Sequence, residues 1–276
     1  MKTLIKKHRF LIARRFTQVT LMALYIIANV YGIKILMGNL SSSLVFETIP
    51  LSDPYAVLQM FAAGAVISFD VLIGALIIGA FYMILAGRAF CSWVCPVNII
   101  TDSANYLRRK LNMNSVQKKQ PASRNIRYWV IAISLILSIL LGVAAFELIS
   151  PISMVHRGII FGLGFGWATI LVIFLFDLFV LKNGWCGHIC PLGGIYSLIG
   201  RFSFIKVHHD HEACTACMKC KEICPESQVL HMVTKESKPV LSGECTNCGR
   251  CIEVCDDDAL NFSIKKLVKE KQNENK

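Results

Sequence analysis

Four long apolar runs alternate with polar stretches along the first two thirds of the chain. A helix of about 20 apolar residues is long enough to cross the hydrocarbon core of a bilayer. The mean hydropathy of +0.53 also lies well above that of ordinary soluble domains. The pattern therefore predicts four transmembrane helices, at Gln18–Met37, Ser68–Leu85, Tyr128–Phe146 and Leu163–Leu181.

Lysine and arginine are distributed unevenly between these runs. The N-terminal segment, the loop between the second and third runs and the segment after the fourth run are basic. The loop of residues 38–67 has no lysine or arginine, and the loop of residues 147–162 has only Arg157. Because cytoplasmic loops carry the excess of positive charge, both termini are predicted to be cytoplasmic. The net charge of +11 then reflects these loops and not a nucleic-acid partner.

This arrangement predicts a multi-pass protein of the bacterial inner membrane, with lipid as its surroundings. The basic start of the chain resembles a signal peptide, but no small-residue cleavage site follows it, so an uncleaved anchor is expected. Four regions are predicted: a cytoplasmic N-terminus (1–17), a four-helix transmembrane domain (18–207), a small α+β ferredoxin-like domain (208–263) and a polar tail (264–276).

The predicted soluble domain contains two copies of the spacing C-x2-C-x2-C-x3-C, 31 residues apart. Bacterial ferredoxins with two [4Fe–4S] clusters use this run, and the fourth cysteine of each copy ligates the other cluster. The first cluster is therefore assigned Cys214, Cys217, Cys220 and Cys255. The second cluster is assigned Cys245, Cys248, Cys251 and Cys224. Zinc is the alternative because it also uses C-x2-C pairs, but zinc does not require the tripled spacing.

The second copy departs from the ferredoxin pattern after its last cysteine, where Asp256 replaces the usual proline. Asp256, Asp257 and Asp258 place negative charge beside Cys255, which disfavours an added electron and lowers that cluster's potential. A solvated acidic turn without such an effect is the alternative, since exposed charges are screened.

A second cysteine pattern, C-x3-C-P, occurs at the cytoplasmic ends of the second and fourth apolar runs, 95 residues apart. Its members are Cys91, Cys95, Cys186 and Cys190. On an α-helix, residues four apart share one face, so each pair is expected to present two thiols together. Three roles stay open: a further iron–sulfur centre, redox-active dithiols, or buried structural cysteines. His188 is a candidate ligand there, although a packing role is the expected one.

Three segments resemble the NapH family of ferredoxin-type membrane subunits. They are residues 38–54 (GNLSSSLVFETIPLSDP), 90–96 (FCSWVCP) and 184–191 (GWCGHICP). The resemblance covers nearly the whole chain. The cysteine patterns alone are shared more widely, with oxidase-assembly proteins and NosR-like regulators, whereas the first segment is more specific.

The resemblance implies a quinol dehydrogenase role in the periplasmic nitrate reductase system. It implies that the chain takes electrons from quinol and passes them, with the periplasmic iron–sulfur protein NapG, toward NapA and NapB. A NapC-like membrane cytochrome is a further implied partner. The eight ferredoxin cysteines and the four C-x3-C-P cysteines carry over to matching positions.

Quinol oxidation releases protons, so it requires a carboxylate or histidine acceptor near the head group. Ionisable residues in or near membrane spans are rare and often functional. Those at the predicted outer surface are Asp70, Glu147, His156 and Arg157, and Asp177 lies inside the fourth run. We expect the outer group to serve this purpose, with ordinary interfacial or packing roles as the alternative.

Two other functions compete with electron transfer from quinol. One is a ferredoxin-type assembly or redox-maintenance factor for a respiratory enzyme, and the other is a membrane anchor for periplasmic partners. The predicted outer loops are too short to form a catalytic domain, so periplasmic chemistry would belong to a partner. The first loop has no basic residue and contains the most specific of the resembling segments, which favours electron transfer over assembly.

Overall fold

The computed structural model describes residues 8–111, 123–162, 164 and 166–264. Residues 1–7 of the predicted N-terminal region, and the predicted polar tail after Ile264, lie outside this range. Helices make up most of the described chain. The α-helices are Arg9–Tyr31, Pro54–Ala62, Phe69–Ile84, Val97–Lys110, Ile126–Leu141, Ala145–Ile149, Pro151–Phe161, Gly166–Leu175, Pro191–Gly200, Lys219–Ile223 and Arg250–Glu253. The π-helical segments are Phe90–Val94, Phe176–Val180 and Trp185–Ile189, and Ser227–Leu230 is a 3-10 helix.

One helix, Arg9–Tyr31, is long and apolar enough by length and composition to cross a membrane. Three shorter apolar helices coincide with the other predicted spans: Phe69–Ile84, Ile126–Leu141 and Gly166–Val180. Sixteen residues of α-helix extend about 24 Å, somewhat less than the hydrocarbon core. The four-span topology therefore stays a prediction. Of the four helices, the first is long enough to cross a membrane.

The predicted ends of the first and third runs were wrong. The first helix begins at Arg9 and ends at Tyr31 instead of extending from Gln18 to Met37. The third ends at Leu141 and not at Phe146. Gly32 and Gly142 follow these helices in the left-handed conformation, at φ of 70° and 66°. Such a glycine commonly ends a helix, because it adopts this conformation without a Cβ clash. Hydrophobicity alone did not reveal either stop.

The stretch predicted as the first outer loop contains a three-stranded antiparallel sheet and a helix. The strands are β1 (Leu36–Gly38), β2 (Ser42–Val45) and β3 (Ile49–Ser52), in that spatial order. The helix Pro54–Ala62 starts after Asp53, whose carboxylate accepts a hydrogen bond from the Ala56 N–H at 3.0 Å. This N-cap with proline at the first helical position is a strong start signal.

The chain divides into two compact units. We call the first the cluster unit; it contains the residues up to Thr17, Phe81–Val94 and the chain from Tyr196 onward. We call the second the helical unit, which contains Gln18–Ala80 and Cys95–Ile195. The ends of two apolar helices therefore belong to the same unit as the ferredoxin cysteines.

The cluster unit is built on a second antiparallel sheet, in which β4 (Ile205–His209) lies between β5 (Lys238–Pro239) and β6 (Leu260–Ile264). Its core includes Val207, Val229, Leu230, Val240 and Leu260, all at most 2% exposed. Cysteines of both motifs lie in the same core. A core this small agrees with a fold that is completed by its clusters.

Glycines allow three backbones of the cluster unit to meet. A Cβ on Gly87 would lie 2.0 Å from the Gly200 Cα, and a Cβ on Gly243 would lie 1.9 Å from the Ser197 carbonyl oxygen. Because the obstructing atoms are backbone atoms, no side chain can yield to make room. The end of the second apolar helix is thereby fixed against the segment that leads into β4.

Candidate functional site

Four cysteines of the cluster unit line one cavity: Cys224, Cys245, Cys248 and Cys251. These are the four that the spacing assigns to the second cluster. Apolar side chains also line it: Val207, Val229 and Leu230. Burial, followed by the charge of the neighbouring thiols, raises the pKa of Cys251 well above its usual value. A cavity with four thiols in an apolar wall fits a [4Fe–4S] cluster, which four thiolates hold.

The other four cysteines are also close neighbours. Burial raises the pKa of Cys220, and the charges of Cys255, Cys217 and Cys214 raise it further. This is the set that the spacing assigns to the first cluster, including the distant Cys255. Cys217 is exposed, whereas Cys220 is buried. The first set is therefore nearer to solvent than the set around the cavity.

The two cysteine loops share a backbone conformation. Ala216 and Asn247 are equivalent residues with φ of 60° and 46°, and Met218 and Gly249 are equivalent with φ of 61° and 74°. Left-handed residues in a turn help to direct neighbouring N–H groups toward one side, which suits an anion. The N–H of Lys221 bonds to the Cys220 sulfur, and that of Asn247 bonds to the Cys245 sulfur. Both loops are thus shaped to hold a negatively charged centre.

Buried cations lie beside the second set. Arg88 and Glu226 form an ion pair at 3.0 Å, and their side chains are only 1% and 3% exposed. Lys206 is also buried and donates to the Gly200 carbonyl at 2.6 Å. Burial raises the pKa of Cys245 to about 11, against the opposing effects of the Asn247 N–H, Lys206 and Arg88. These cations partly offset the cost of concentrating negative charge in a buried site.

The first set has an acidic and exposed border. Lys219 pairs with Asp256 at 2.7 Å, with both side chains more than half exposed. The Thr215 N–H donates to the Asp257 carboxylate at 3.2 Å. Water screens these charges far more than it screens Arg88 or Lys206. The two candidate sites therefore differ in exposure and in the sign of the charge around them.

Among the described residues, no three His, Cys, Asp or Glu side chains converge as they would around a single metal ion. The cavity and its four thiols are instead the feature that matches a larger, polynuclear centre.

Both C-x3-C-P patterns form π-helical turns, and not the α-helical face that was predicted. The first cysteine turn is Phe90–Val94 and the second cysteine turn is Trp185–Ile189. Cys95 and Cys190 each follow the end of their turn, immediately before the proline. A π-turn contains more residues per turn than an α-helix, so residues four apart no longer stack on one face. Such turns are often found at functional sites.

The first cysteine turn is bonded to the loop of Cys245. Arg88 Nη1 donates to the Glu244 carbonyl at 3.0 Å, Ser92 Oγ donates to the Thr246 carbonyl at 2.7 Å, and Trp93 Nε1 donates to the Asn247 carbonyl at 3.1 Å. These three acceptors flank Cys245. The end of the second apolar helix thus supports one of the cysteine loops.

The second cysteine turn is held within the helical unit. Its first N–H, from Trp185, donates to Asp177 Oδ1 at 3.0 Å. Arg108 Nη1 donates to the Asp177 and Leu178 carbonyls at 3.0 and 2.9 Å, and Asn105 bonds to Asn183. His188 is buried, and burial followed by the charge of Arg124 lowers its pKa.

The four C-x3-C-P cysteines differ in location. Cys95 and Cys190 are buried, and Cys91 and Cys186 are half-buried. Cys91 belongs to the cluster unit and the other three to the helical unit. A further iron–sulfur centre on these cysteines stays a prediction.

The candidate quinol residues have different surroundings. Asp70 and Arg157 are exposed. Glu147 accepts a hydrogen bond from the Ser41 hydroxyl at 2.7 Å. The buried His156 ring packs edge-on against Tyr25, with centroids 4.8 Å apart, and its Nε2 has no hydrogen-bond partner among the described residues. Asp177 accepts the hydrogen bond from the first N–H of the second cysteine turn.

Comparison with known proteins places the chain in a family. It is 41% identical to the methylamine utilization ferredoxin-type protein MauN of Methylorubrum extorquens, over 88% of this chain and 85% of that protein. It is 42% identical to the ferredoxin-type protein NapH of Escherichia coli, over 85% of this chain and 82% of that protein. The NapH of Haemophilus influenzae is also 42% identical, over 85% of this chain and 83% of that protein. The chain belongs to the NapH/MauN family of ferredoxin-type proteins.

Two domain families also match. Residues 206–256 match the 4Fe-4S dicluster domain, and residues 67–114 and 163–207 each match a 4Fe-4S binding domain. The latter two segments each contain one cysteine turn, so the C-x3-C-P repeat is part of a longer repeated segment. No solved structure matches the chain.

Several structural residues of this NapH/MauN-family chain were missed by sequence reasoning. Arg88 was counted only as a basic loop residue, and Ser92, Trp93, Lys206 and Glu226 were not singled out. The signal available was slight: a charged residue at the end of an apolar run and polar residues between two cysteines. Arg88, Ser92 and Trp93 bond main-chain carbonyls more than 150 residues away, which no local pattern specifies.

Proposed function

We propose that this chain is a membrane electron-transfer protein with two [4Fe–4S] clusters, which accepts electrons from quinol and passes them toward a periplasmic reductase. The observation that carries the proposal is the arrangement of the eight ferredoxin cysteines in two groups, one of them around the cavity. We assign one cluster to Cys214, Cys217, Cys220 and Cys255 and the other to Cys224, Cys245, Cys248 and Cys251. The clusters would supply one-electron storage, while the loops fix their thiolates and offset their charge.

Exposed apolar side chains on the shorter helices support the multi-pass part of the proposal. The shorter apolar helices carry large apolar residues that are exposed, among them Leu76 at 72%, Trp129 at 70% and Leu140 at 74%. Large apolar side chains exposed to this extent are unfavourable in water and suit a bilayer. With the distribution of basic residues, this favours four crossings with both termini on the cytoplasmic side.

His156 is the residue that we propose as the proton acceptor for quinol oxidation. Burial, and then the charge of Arg157, lowers its pKa from the ordinary 6.5. The imidazole is therefore neutral at pH 7 and has a nitrogen available to accept a proton. Glu147 differs because its carboxylate already accepts the Ser41 hydroxyl.

The resemblance to NapH favours a periplasmic nitrate reductase as the final acceptor, through a NapG-like iron–sulfur protein. The sheet and helix of residues 36–62 offer a docking surface for such a partner. Its exposed apolar side chains include Leu44, Phe46, Ile49 and Phe61.

Anaerobically purified full-length protein tests the proposal directly. We expect about eight iron atoms per chain, since each of two cubanes holds four, and electron paramagnetic resonance (EPR) signals of reduced clusters on addition of a quinol. Protein that binds zinc in place of iron would remove the cluster assignment. Iron-loaded protein that no quinol reduces would remove the quinol role and leave the clusters in place.

A second candidate function is electron transfer in methylamine utilisation, the process for which the MauN relatives are named. The observation that favours it is the similar identity to MauN and to NapH, 41% and 42%. Deletion of the gene separates the two candidates: loss of nitrate-dependent respiration supports the first, and loss of growth on methylamine supports the second.

A further inference from the structure

The first cysteine turn makes an unusual set of contacts for a motif that resembles a metal-binding pair. Its Ser92 hydroxyl is 2% exposed and donates to the Thr246 carbonyl at 2.7 Å. Its Trp93 indole donates to the next carbonyl, that of Asn247, at 3.1 Å. Two adjacent peptide groups after Cys245 are thus each bonded by a side chain of the same turn.

The Thr246 carbonyl and the Asn247 N–H belong to one peptide unit. The structure describes no cis peptide bonds, so the two groups point in opposite directions across a rigid plane. The carbonyl end accepts the Ser92 hydroxyl, and the N–H end donates to the Cys245 sulfur. Ser92 therefore acts on Cys245 through a single intervening peptide.

Two physical effects follow from this chain of bonds. The hydroxyl fixes the orientation of the peptide plane, so that its N–H stays directed at the sulfur. A hydrogen bond to the carbonyl also polarises the amide and strengthens the bond that its N–H makes. Asn247 has a φ of 46°, an uncommon conformation for a residue other than glycine. Its side-chain amide donates to the Ile205 carbonyl at 2.9 Å, which adds a further constraint.

We propose that Ser92, inside the first C-x3-C-P motif, is a positioning residue that raises the reduction potential of the cluster held by Cys224, Cys245, Cys248 and Cys251. This inference rests on the two-cluster assignment made above. An N–H directed at a ligand sulfur stabilises the more negative, reduced cluster, and such bonds are among the factors that set cluster potentials. Trp93 supports the same loop from the following carbonyl.

The proposal gives the first motif a role in addition to that of its thiols. The equivalent places in the second motif are Gly187 and His188, and Gly187 has no side-chain donor. The hydroxyl is therefore specific to the turn that belongs to the cluster unit. The potential of one cluster is thereby coupled to the end of an apolar helix.

The test is an EPR-monitored redox titration of the full-length protein, with iron content measured in the same samples. We expect Ser92→Ala to lower the midpoint potential of one cluster and to leave the other unchanged. Ser92→Thr keeps the hydroxyl and should stay close to the native potential. Ser103→Ala is the matched control, because it removes an exposed hydroxyl that bonds the Ile99 carbonyl within a helix of the helical unit.

A companion variant identifies which cluster has moved. Asp257 accepts from Thr215 beside the first set, so Asp257→Asn should raise the potential of the other cluster only. If Ser92→Ala and Asp257→Asn shift the same signal, the assignment of Ser92 is wrong. The proposal is also overturned if Ser92→Ala retains its full iron content and both clusters keep their native midpoint potentials.

If Ser92→Ala retains less iron, Trp93→Phe replaces it in the titration. This change removes the indole N–H together with part of the ring system, and the same selective lowering is expected. Equal potentials in Trp93→Phe and the native protein would overturn the inference. Native protein without iron would instead contradict the proposed function, so the two failures are distinguishable.

Discussion

The two cysteine turns share a sequence pattern and a π-helical backbone, yet they are integrated differently. In the first turn, Ser92 and Trp93 donate to carbonyls of the Cys245 loop. In the second turn, the corresponding residues are Gly187 and His188, and the turn is held by Asp177 from the preceding segment. The two turns show that a repeated motif can form the same π-helical turn twice. The residues between its two cysteines then determine which neighbouring groups each turn contacts.

The ionic groups near the two turns also differ. Arg88, two residues before the first turn, forms a buried pair with Glu226, which lines the cavity. Arg108 bonds neutral carbonyls of the segment that precedes the second turn. We therefore expect the first turn to affect cluster binding, and the second to affect only the helical unit.

The largest effect is expected for Arg88→Met. Removal of the arginine leaves the Glu226 carboxylate buried without its ion-pair partner, which costs about 3–5 kcal/mol for such pairs. We expect lower iron content and earlier loss of visible cluster absorbance on heating. The double variant Arg88→Met, Glu226→Gln removes the uncompensated charge and should recover most of the loss. Equal stability of the single variant and the native protein would show that the first turn does not anchor this unit.

The next effect is expected for His156, a residue of the helical unit. His156→Gln should slow quinol oxidation about 100-fold, a typical contribution of a general base, while iron content and cluster potentials stay native. Because the pKa of His156 is lowered, the native rate should hold near neutral pH and fall as acid protonates the imidazole, below its usual 6.5. Stopped-flow reduction of the clusters by quinol, at neutral pH and below pH 6.5, measures both the effect of the variant and the pH dependence of the native rate. If His156→Gln oxidises quinol at the native rate, His156 is not the proton acceptor.

A smaller effect is expected for Arg108→Met. Its hydrogen bonds to the Asp177 and Leu178 carbonyls are charge-assisted, and their loss should cost about 2 kcal/mol in unfolding free energy. Thermal unfolding followed by circular dichroism measures the cost, and the exposed Lys110→Met serves as the control. Both cluster potentials should remain native. A shift in either one would break the distinction between the two turns.

The smallest effect is expected for Lys219→Met at the exposed border of the first set. The pair with Asp256 is open to solvent, and such screened pairs contribute little to stability. The free energy of unfolding should change little. Because a cation beside Cys217 is removed, the potential of this cluster should fall slightly, and the fall should diminish in high salt. A large, salt-independent fall would mean that this site is as shielded from water as the cavity.

Much of this architecture was available from local pattern. The apolar helix Phe69–Ile84 lies within one residue of each predicted end, because composition and length suffice for such a helix. The ends at Tyr31 and Leu141 were missed, because each depends on a single left-handed glycine. The pairing of distant Cys255 with the first set follows from a spacing that is specific to one kind of centre.

The amino-acid sequence by itself indicated the apolar helices, the family and the predicted grouping of eight cysteines, because each depends on short-range period or spacing. Only the tertiary structure decided that Arg88, Ser92 and Trp93 support the Cys245 loop, and that Arg88 and Lys206 are buried beside it. The physical reason is the nature of the acceptors. Main-chain carbonyls are present at every residue, so a sequence does not mark which of them a remote side chain will bond.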